Sequence, residues 1–360
     1  MRPLLATYAW LLARLPEAFA RANAALLGEL LWLIRGKVIR RNLTRAFPEK
    51  DAAWVRRIGR TSCRRTAEMA LFSLVSPMLS DAELRDRIQV DDSVTSAEHG
   101  LAPKGAGTVL FVPHFALMEM MTVTPLIRPE LAKREWSVIY RPLDQPAAER
   151  WVRESRERFG MKLVSRREGF GRLMQTVRNG HIAAVLFDQT TQTGSLWRFM
   201  GSPCAVTELP GIIAQRFKSA ARIYWAERTG FWRCRLRMEA LQATDSIGLT
   251  IESNAWLERQ LRSGDDVCAN WLWPVCSATK PRCASCLASG CTRATPWTWR
   301  CWPWPISSVL IRKWKPLNTP YSAKSPLNLN SAMPPVSCIE STPSASSRVV
   351  LSRFWISVRR

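Results

Sequence analysis

Two short apolar runs, residues 108–112 (TVLFV) and 182–187 (IAAVLF), do most to fix what this chain can become. Each is too short for a buried helix. Turn residues precede both, Lys104-Gly105-Ala106-Gly107 before the first and Asn179-Gly180 before the second. Such runs read as strands buried inside a sheet. Residues 136–140 (WSVIY), 88–90, 163–164 and 221–225 read as further strands, and residues 145–159, 170–177, 207–217 and 251–262 as helices between them. Strands alternating with helices predict an α/β fold, a central mixed, largely parallel sheet flanked by helices. Residues 231–238 (FWRCRLRM) alternate apolar and basic side chains, as a half-exposed edge strand would.

The strand ends carry the chemistry. Pro113 stops the first run, because proline cannot donate to a sheet ladder. His114 follows just past the strand's C-terminal end, where open α/β sheets place their ligands. Glu119 comes five residues later. On one unbroken helix that step turns about 500°, so the two side chains meet only if His114 lies in the turn and Glu119 in the first helical turn. A carboxylate so placed would hold the imidazole in one tautomer as a general base. Arg141 ends the 136–140 strand and could grip a phosphate or carboxylate, and Asp188-Gln189 end the 182–187 strand. Parallel strands would bring His114, Arg141 and Asp188 to one edge of the sheet. His181 precedes its strand and reads as structural, and His99, in a loop, as a surface residue. The segments Gly105-Ala106-Gly107 and Gly169-Phe170-Gly171 each lack the third glycine of a dinucleotide loop. Neither a G-x-S-x-G elbow nor a Walker loop occurs, which argues against a serine hydrolase and a P-loop NTPase.

A formal net charge of +23 calls for an anionic partner. Residues 3–13 are uncharged but too short to span a bilayer, which takes about 20 residues. Ala18-Phe19-Ala20 resembles a signal-peptidase site, yet Arg14 and Glu17 interrupt the region before it. Residues 1–48 read instead as two amphipathic helices. Leu4, Tyr8, Leu11 and Leu15 stripe the first; Leu27, Leu30, Leu31, Ile34 and Val38 stripe the second, beside Arg35, Lys37, Arg40 and Arg41. This pattern suits monotopic contact with an anionic membrane surface, and the same stripes could also pack on the domain. Residues 49–76 continue helically, with Trp54, Ile58, Met69, Phe72 and Leu74 toward the core and Cys63-Arg64-Arg65 on a solvated face. Cys63, Cys204, Cys234 and Cys268 show no pairing pattern and read as reduced thiols.

Residues 49–274 form the α/β domain in this reading, and residues 275–360 a separate tail. The tail holds one acidic residue, Glu340, against twelve Lys/Arg, with ten prolines and six tryptophans in no regular period. It reads as irregular and not natively folded. We hypothesise translation in a shifted reading frame; an intact single frame on resequencing the DNA would refute this. Cys276, Cys283, Cys286 and Cys291 form a C-x6-C-x2-C-x4-C loop that resembles the iron–sulfur loop of adenine-type DNA glycosylases. It supports an alternative reading, a basic nucleic-acid-binding protein with an iron–sulfur or zinc loop. No helix-hairpin-helix region accompanies it, so nucleic acid is the less favoured partner.

Several motifs in order resemble the lipid A biosynthesis (lauroyl/myristoyl) acyltransferases, within the H-x4-D/E acyltransferase superfamily. They are Arg41-Asn42-Leu43 with Phe47-Pro48, His114…Glu119, Arg141-Pro142, Glu157-Arg158-Phe159-Gly160, Leu186-Phe187-Asp188-Gln189, Phe199-Met200-Gly201-Ser202-Pro203 and Trp271-Leu272-Trp273. The resemblance covers about residues 35–274. It implies transfer of a fatty acyl group from an acyl carrier protein thioester to a hydroxyl of a phosphorylated lipid A precursor, at the cytoplasmic face of the inner membrane. It implies no cofactor. His114 would be the base, Glu119 its orienting carboxylate, and Arg141, Asp188 and Gln189 would position substrate. Two departures stand out. Ala116-Leu117-Met118 replace the G-N-W of the family's H-[F/Y]-G-N-W-E, and the W-x-W-x-H-x-R-W-K continuation is lost after Trp273-Pro274. An inactive remnant is therefore a third reading.

Overall fold

The computed structural model describes residues 2–271, apart from residues 104, 141, 166–169 and 190–193. Arg141, the tail and its four-cysteine loop lie outside the described residues. Helices α1 (Arg2–Arg14), α2 (Glu17–Ala46), α3 (Ala52–Val75) and α4 (Asp81–Arg87) lead into strand β1 (Ile88–Val90) and then β2 (Thr108–Val112). After β2 come a 3-10 helix, Met118–Val123, and the single turns α5 (Thr124–Ile127) and α6 (Pro129–Ala132). The α/β alternation proper follows: β3 (Trp136–Tyr140), α7 (Pro146–Glu157), β4 (Met161–Ser165), α8 (Gly171–Arg178) and β5 (Ile182–Leu186). A hairpin, β6 (Ser195–Phe199) and β7 (Ser202–Val206), precedes α9 (Leu209–Phe217), β8 (Ala220–Gly230), β9 (Arg233–Ala240), α10 (Ser246–Arg262) and α11 (Asp265–Asn270).

Seven strands form one sheet in the order β1-β9-β8-β2-β5-β3-β4. Every neighbouring pair is parallel except β8 with β9. The sheet is thus mixed and largely parallel, as the apolar runs predict. All five β2 residues are buried because both faces of the sheet are covered. Val109 and Phe111 face a core shared with Leu173 of α8, Ile213 of α9 and Trp256 of α10. Leu110 and Val112 face the opposite core, with Leu12 of α1, Ala20 of α2 and Phe72 of α3. Gly180, at φ 79°, closes α8 in the left-handed conformation that its position after the helix predicts.

Three local expectations need correction. Residues 231–238 do not form an edge strand, because β1 pairs along Cys234–Leu236 and takes the edge itself. Cys63 and Arg65 are buried, and only Arg64 of that trio is exposed. Arg65 is covered by α11, where it bonds the Asp266 and Asn270 side chains at 2.8 and 2.7 Å. His99 is half-buried, with Nδ1 3.4 Å from the Ala240 backbone N–H. On the first two helices, where the stripes could face a membrane or the domain, the inward face is made mostly of small residues. Ala9, Leu12, Ala20 and Ala24 are buried, while Leu4, Leu15, Leu30 and Ile34 are exposed. The reason is close approach: a Cβ on Gly28 would stand 2.6 Å from the Arg64 Cα, so α2 meets α3 backbone to backbone.

Candidate active site

Strands β2 and β5 run side by side with Val112 opposite Leu186. Carrying that register two residues past both strand ends sets His114 beside Asp188. Nδ1 of His114 lies 2.5 Å from Asp188 Oδ1. The His114 backbone N–H donates to Asp188 Oδ2 at 2.9 Å, and the Trp271 indole N–H donates to the same oxygen at 3.0 Å. On the other side of the ring, Gln189 Nε2 lies 2.9 Å from His114 Nε2. The side chain of Asp188 is 1% exposed and that of His114 is 11% exposed.

Burial alone would push the Asp188 carboxyl up. The His114 imidazole, together with the N–H donors of His114 and Trp271, outweighs burial and holds it below the usual aspartate range. An ionised carboxylate only accepts hydrogen bonds, so Nδ1 carries a proton, and in the neutral ring the lone pair is on Nε2. This is the tautomer a general base requires.

The carboxylate in contact with the imidazole is thus that of Asp188, and Glu119 does not sit where the sequence spacing places it. Both Glu119 oxygens are taken by Arg156 of α7, Oε2 by Nε at 2.7 Å and Oε1 by Nη2. Burial alone would lower the Arg156 pKa, but the Glu119 carboxylate more than restores it and holds it above the ordinary value. The geometry follows from the turn. Leu117 stands at φ 66° and starts a 3-10 helix at Met118, which carries Glu119. A left-handed leucine costs about 1–2 kcal/mol, and this one is held by full burial of its side chain.

A small pocket of about 20 Å³ lies beside Asp188, lined by Gln189, Trp271, Asn254 of α10, and Phe199, Cys204, Ala205 and Val206 of the β6–β7 hairpin. Its walls are largely apolar. Burial pushes the Cys204 thiol up, so at neutral pH it is a lining group and no thiolate. Among the described residues no group of His, Cys, Asp or Glu could hold a metal ion.

Three contributors escaped the sequence reading. The hairpin could have been found from Met200-Gly201, a two-residue loop with positive φ at both positions (48° and 73°), between SLWRF and SPCAV. Trp271 was visible only as part of a motif. It reaches the site because its backbone bridges Phe115 and its carbonyl accepts from Ser62 Oγ at 3.0 Å. Arg156 carried no local signal. Its neighbour Arg153 does make i,i+4 pairs with Glu149 and Glu157, as helix spacing predicts.

The family model described as bacterial lipid A biosynthesis acyltransferase matches residues 3–233. That span holds His114, Glu119, Asp188 and Gln189 and ends before α10 and Trp271. No curated protein matches the chain.

Proposed function

Since the chain belongs to the bacterial lipid A biosynthesis acyltransferase family and is an acyltransferase, we propose that it moves a fatty acyl group from an acyl carrier protein thioester to a hydroxyl of a phosphorylated glycolipid precursor. One observation carries this reading: His114 is fixed through Nδ1 on buried Asp188, which lines a small, largely apolar pocket together with Gln189, the partner of Nε2. Nε2 would take the proton of the acceptor hydroxyl as its oxygen attacks the thioester carbonyl. The C–O bond forms, the C–S bond breaks, and the imidazolium returns the proton to the departing thiolate. Asp188 balances the imidazolium charge during the step. A thioester is already activated, so no covalent enzyme intermediate is needed. Glu119 and Arg156 brace the turn that carries His114, and Arg141 remains a proposed contact for an acceptor phosphate.

Location at a membrane belongs to the same proposal. No helix among the described residues is long and apolar enough to cross a bilayer. The supporting feature is the outward face of α2, where Leu26, Leu30, Leu33 and Ile34 are exposed. Beside it runs an α3 groove lined by Arg56, Arg57, Arg60 and Arg64, of which Arg60 and Arg64 clasp Glu29 of α2. An apolar ridge bordered by arginines fits an anionic lipid surface.

The test is acyl transfer from acyl carrier protein to a lipid A precursor by the full chain. His114→Ala, shown folded by circular dichroism, should lose at least about 10²-fold in rate. Undiminished transfer by this variant would overturn the assignment of the base.

A further inference from the structure

The nitrogen that must accept the hydroxyl proton is already occupied. Gln189 places its side-chain nitrogen 2.9 Å from His114 Nε2. An amide nitrogen only donates, so the lone pair required for catalysis is engaged by a resident N–H. This is the one hydrogen bond of the Gln189 side chain among the described residues, and the residue is half-buried on the pocket wall. As far as the described residues go, the side chain can turn away at the cost of that bond. By contrast, the opposite ring nitrogen is fixed on a carboxylate that accepts two further N–H groups. One side of the imidazole is locked and the other is covered by a removable group.

We propose that Gln189 is a placeholder for the acceptor hydroxyl, covering the base until the glycolipid displaces it and so keeping water from being the nucleophile. The proposal rests on the thioester-to-hydroxyl reading above. The competing reaction uses the same machinery. Water gives its proton to Nε2 and its oxygen bonds to the carbonyl carbon. The C–S bond then breaks, yielding free fatty acid and thiol in place of ester and thiol. A glycolipid brings binding energy from the rest of its structure to turn the amide aside. A water molecule brings only one hydrogen bond to exchange against one already made. Gln189 would thus bias the partition between transfer and hydrolysis, a property that a group merely supporting the ring would not alter, since misplacing the base slows both reactions together.

The experiment measures both products, acylated glycolipid and free fatty acid, for the full chain with acyl carrier protein thioester and lipid A precursor. Wild type, Gln189→Ala, Gln189→Asn and His114→Ala are compared. Asparagine keeps the polarity and is one methylene too short to reach Nε2, so it covers the case in which alanine misfolds. The ratio of free acid to ester should rise about fivefold in both Gln189 variants, the factor expected from losing one ordinary hydrogen bond. An unchanged ratio, or both products falling in parallel, would overturn the placeholder and leave His114 as the base. Both products persisting in His114→Ala, or neither forming in wild type, would instead overturn the reading on which the placeholder rests.

Discussion

Asp188 accepts three N–H groups on two oxygens while almost wholly shielded from water. Replacing it with asparagine keeps the shape but removes the charge that fixes the proton on Nδ1. The amide can present its own N–H to the ring and favour the wrong tautomer. Asp188→Asn should therefore lower the acyl-transfer rate about 10²–10⁴-fold, measured under saturating donor and acceptor. The same residue gives a pH dependence of stability. Its folded pKa lies below the ordinary aspartate value of about 3.9, so its contribution is fully present above that pH and is lost as pH falls through the folded value. Urea midpoints should put wild type above Asp188→Asn at pH 7, by about 1.5–3 kcal/mol for hydrogen bonds to a charged group. The gap should narrow below pH about 4. A gap independent of pH would show that the carboxylate is not held ionised.

The joint between α3 and the β8–β9 hairpin is the most exacting connection among the elements. Glu68 of α3 accepts the Trp232 backbone N–H at 2.9 Å and the Arg228 Nε at 3.1 Å, and the Trp232 indole donates to the Glu68 carbonyl at 3.0 Å. Trp232 stands at φ 49°, so the turn needs that support. Glu68→Ala would leave a buried N–H and a half-buried guanidinium without their acceptor, at a cost of about 3–5 kcal/mol in urea unfolding. Glu68→Gln keeps the volume and one acceptor and should cost less; equal losses would mean that the full carboxylate, with its charge and both acceptors, holds the joint. None of this was legible in the sequence. The strands were, since 108–112, 136–140 and 182–187 carry their burial in their composition, and the shared edge of His114 and Asp188 followed from parallel order. Which carboxylate meets the imidazole was not. Glu119 is near in sequence, whereas Asp188 meets it through a β2–β5 register that only the folded sheet fixes. Helix faces were undecided for a related reason. Hydrophobicity left the Leu30 and Ile34 stripe open to a membrane or to the domain, and the choice of inward face came from Ala24 and Gly28, where α2 approaches α3 and only small residues fit.

At the scale of the whole molecule, that helix matters most. Leu33, Leu26 and Ile34 are 80%, 71% and 69% exposed on one element, with no covering partner among the described residues, an arrangement unfavourable for a monomer in water. Beside them lie the α3 arginines, and the full chain carries a net +23. Apolar insertion and electrostatic attraction should therefore act together on an anionic bilayer and separate under different treatments. Flotation of the full chain with vesicles containing phosphatidylglycerol should show binding that weakens as salt rises from 0.05 to about 0.5 M, as screening shortens the reach of the arginines. Changing both Leu30 and Leu33 to glutamate removes two insertions worth about 1.5–3 kcal/mol each, so binding should fall by at least about tenfold even at low salt. Those positions are exposed, so the fold should be unaffected and transfer from a soluble donor to a detergent-dispersed acceptor should persist. Vesicle binding that ignores the glutamates but disappears in salt would assign attachment to charge alone, and the apolar ridge would need another occupant.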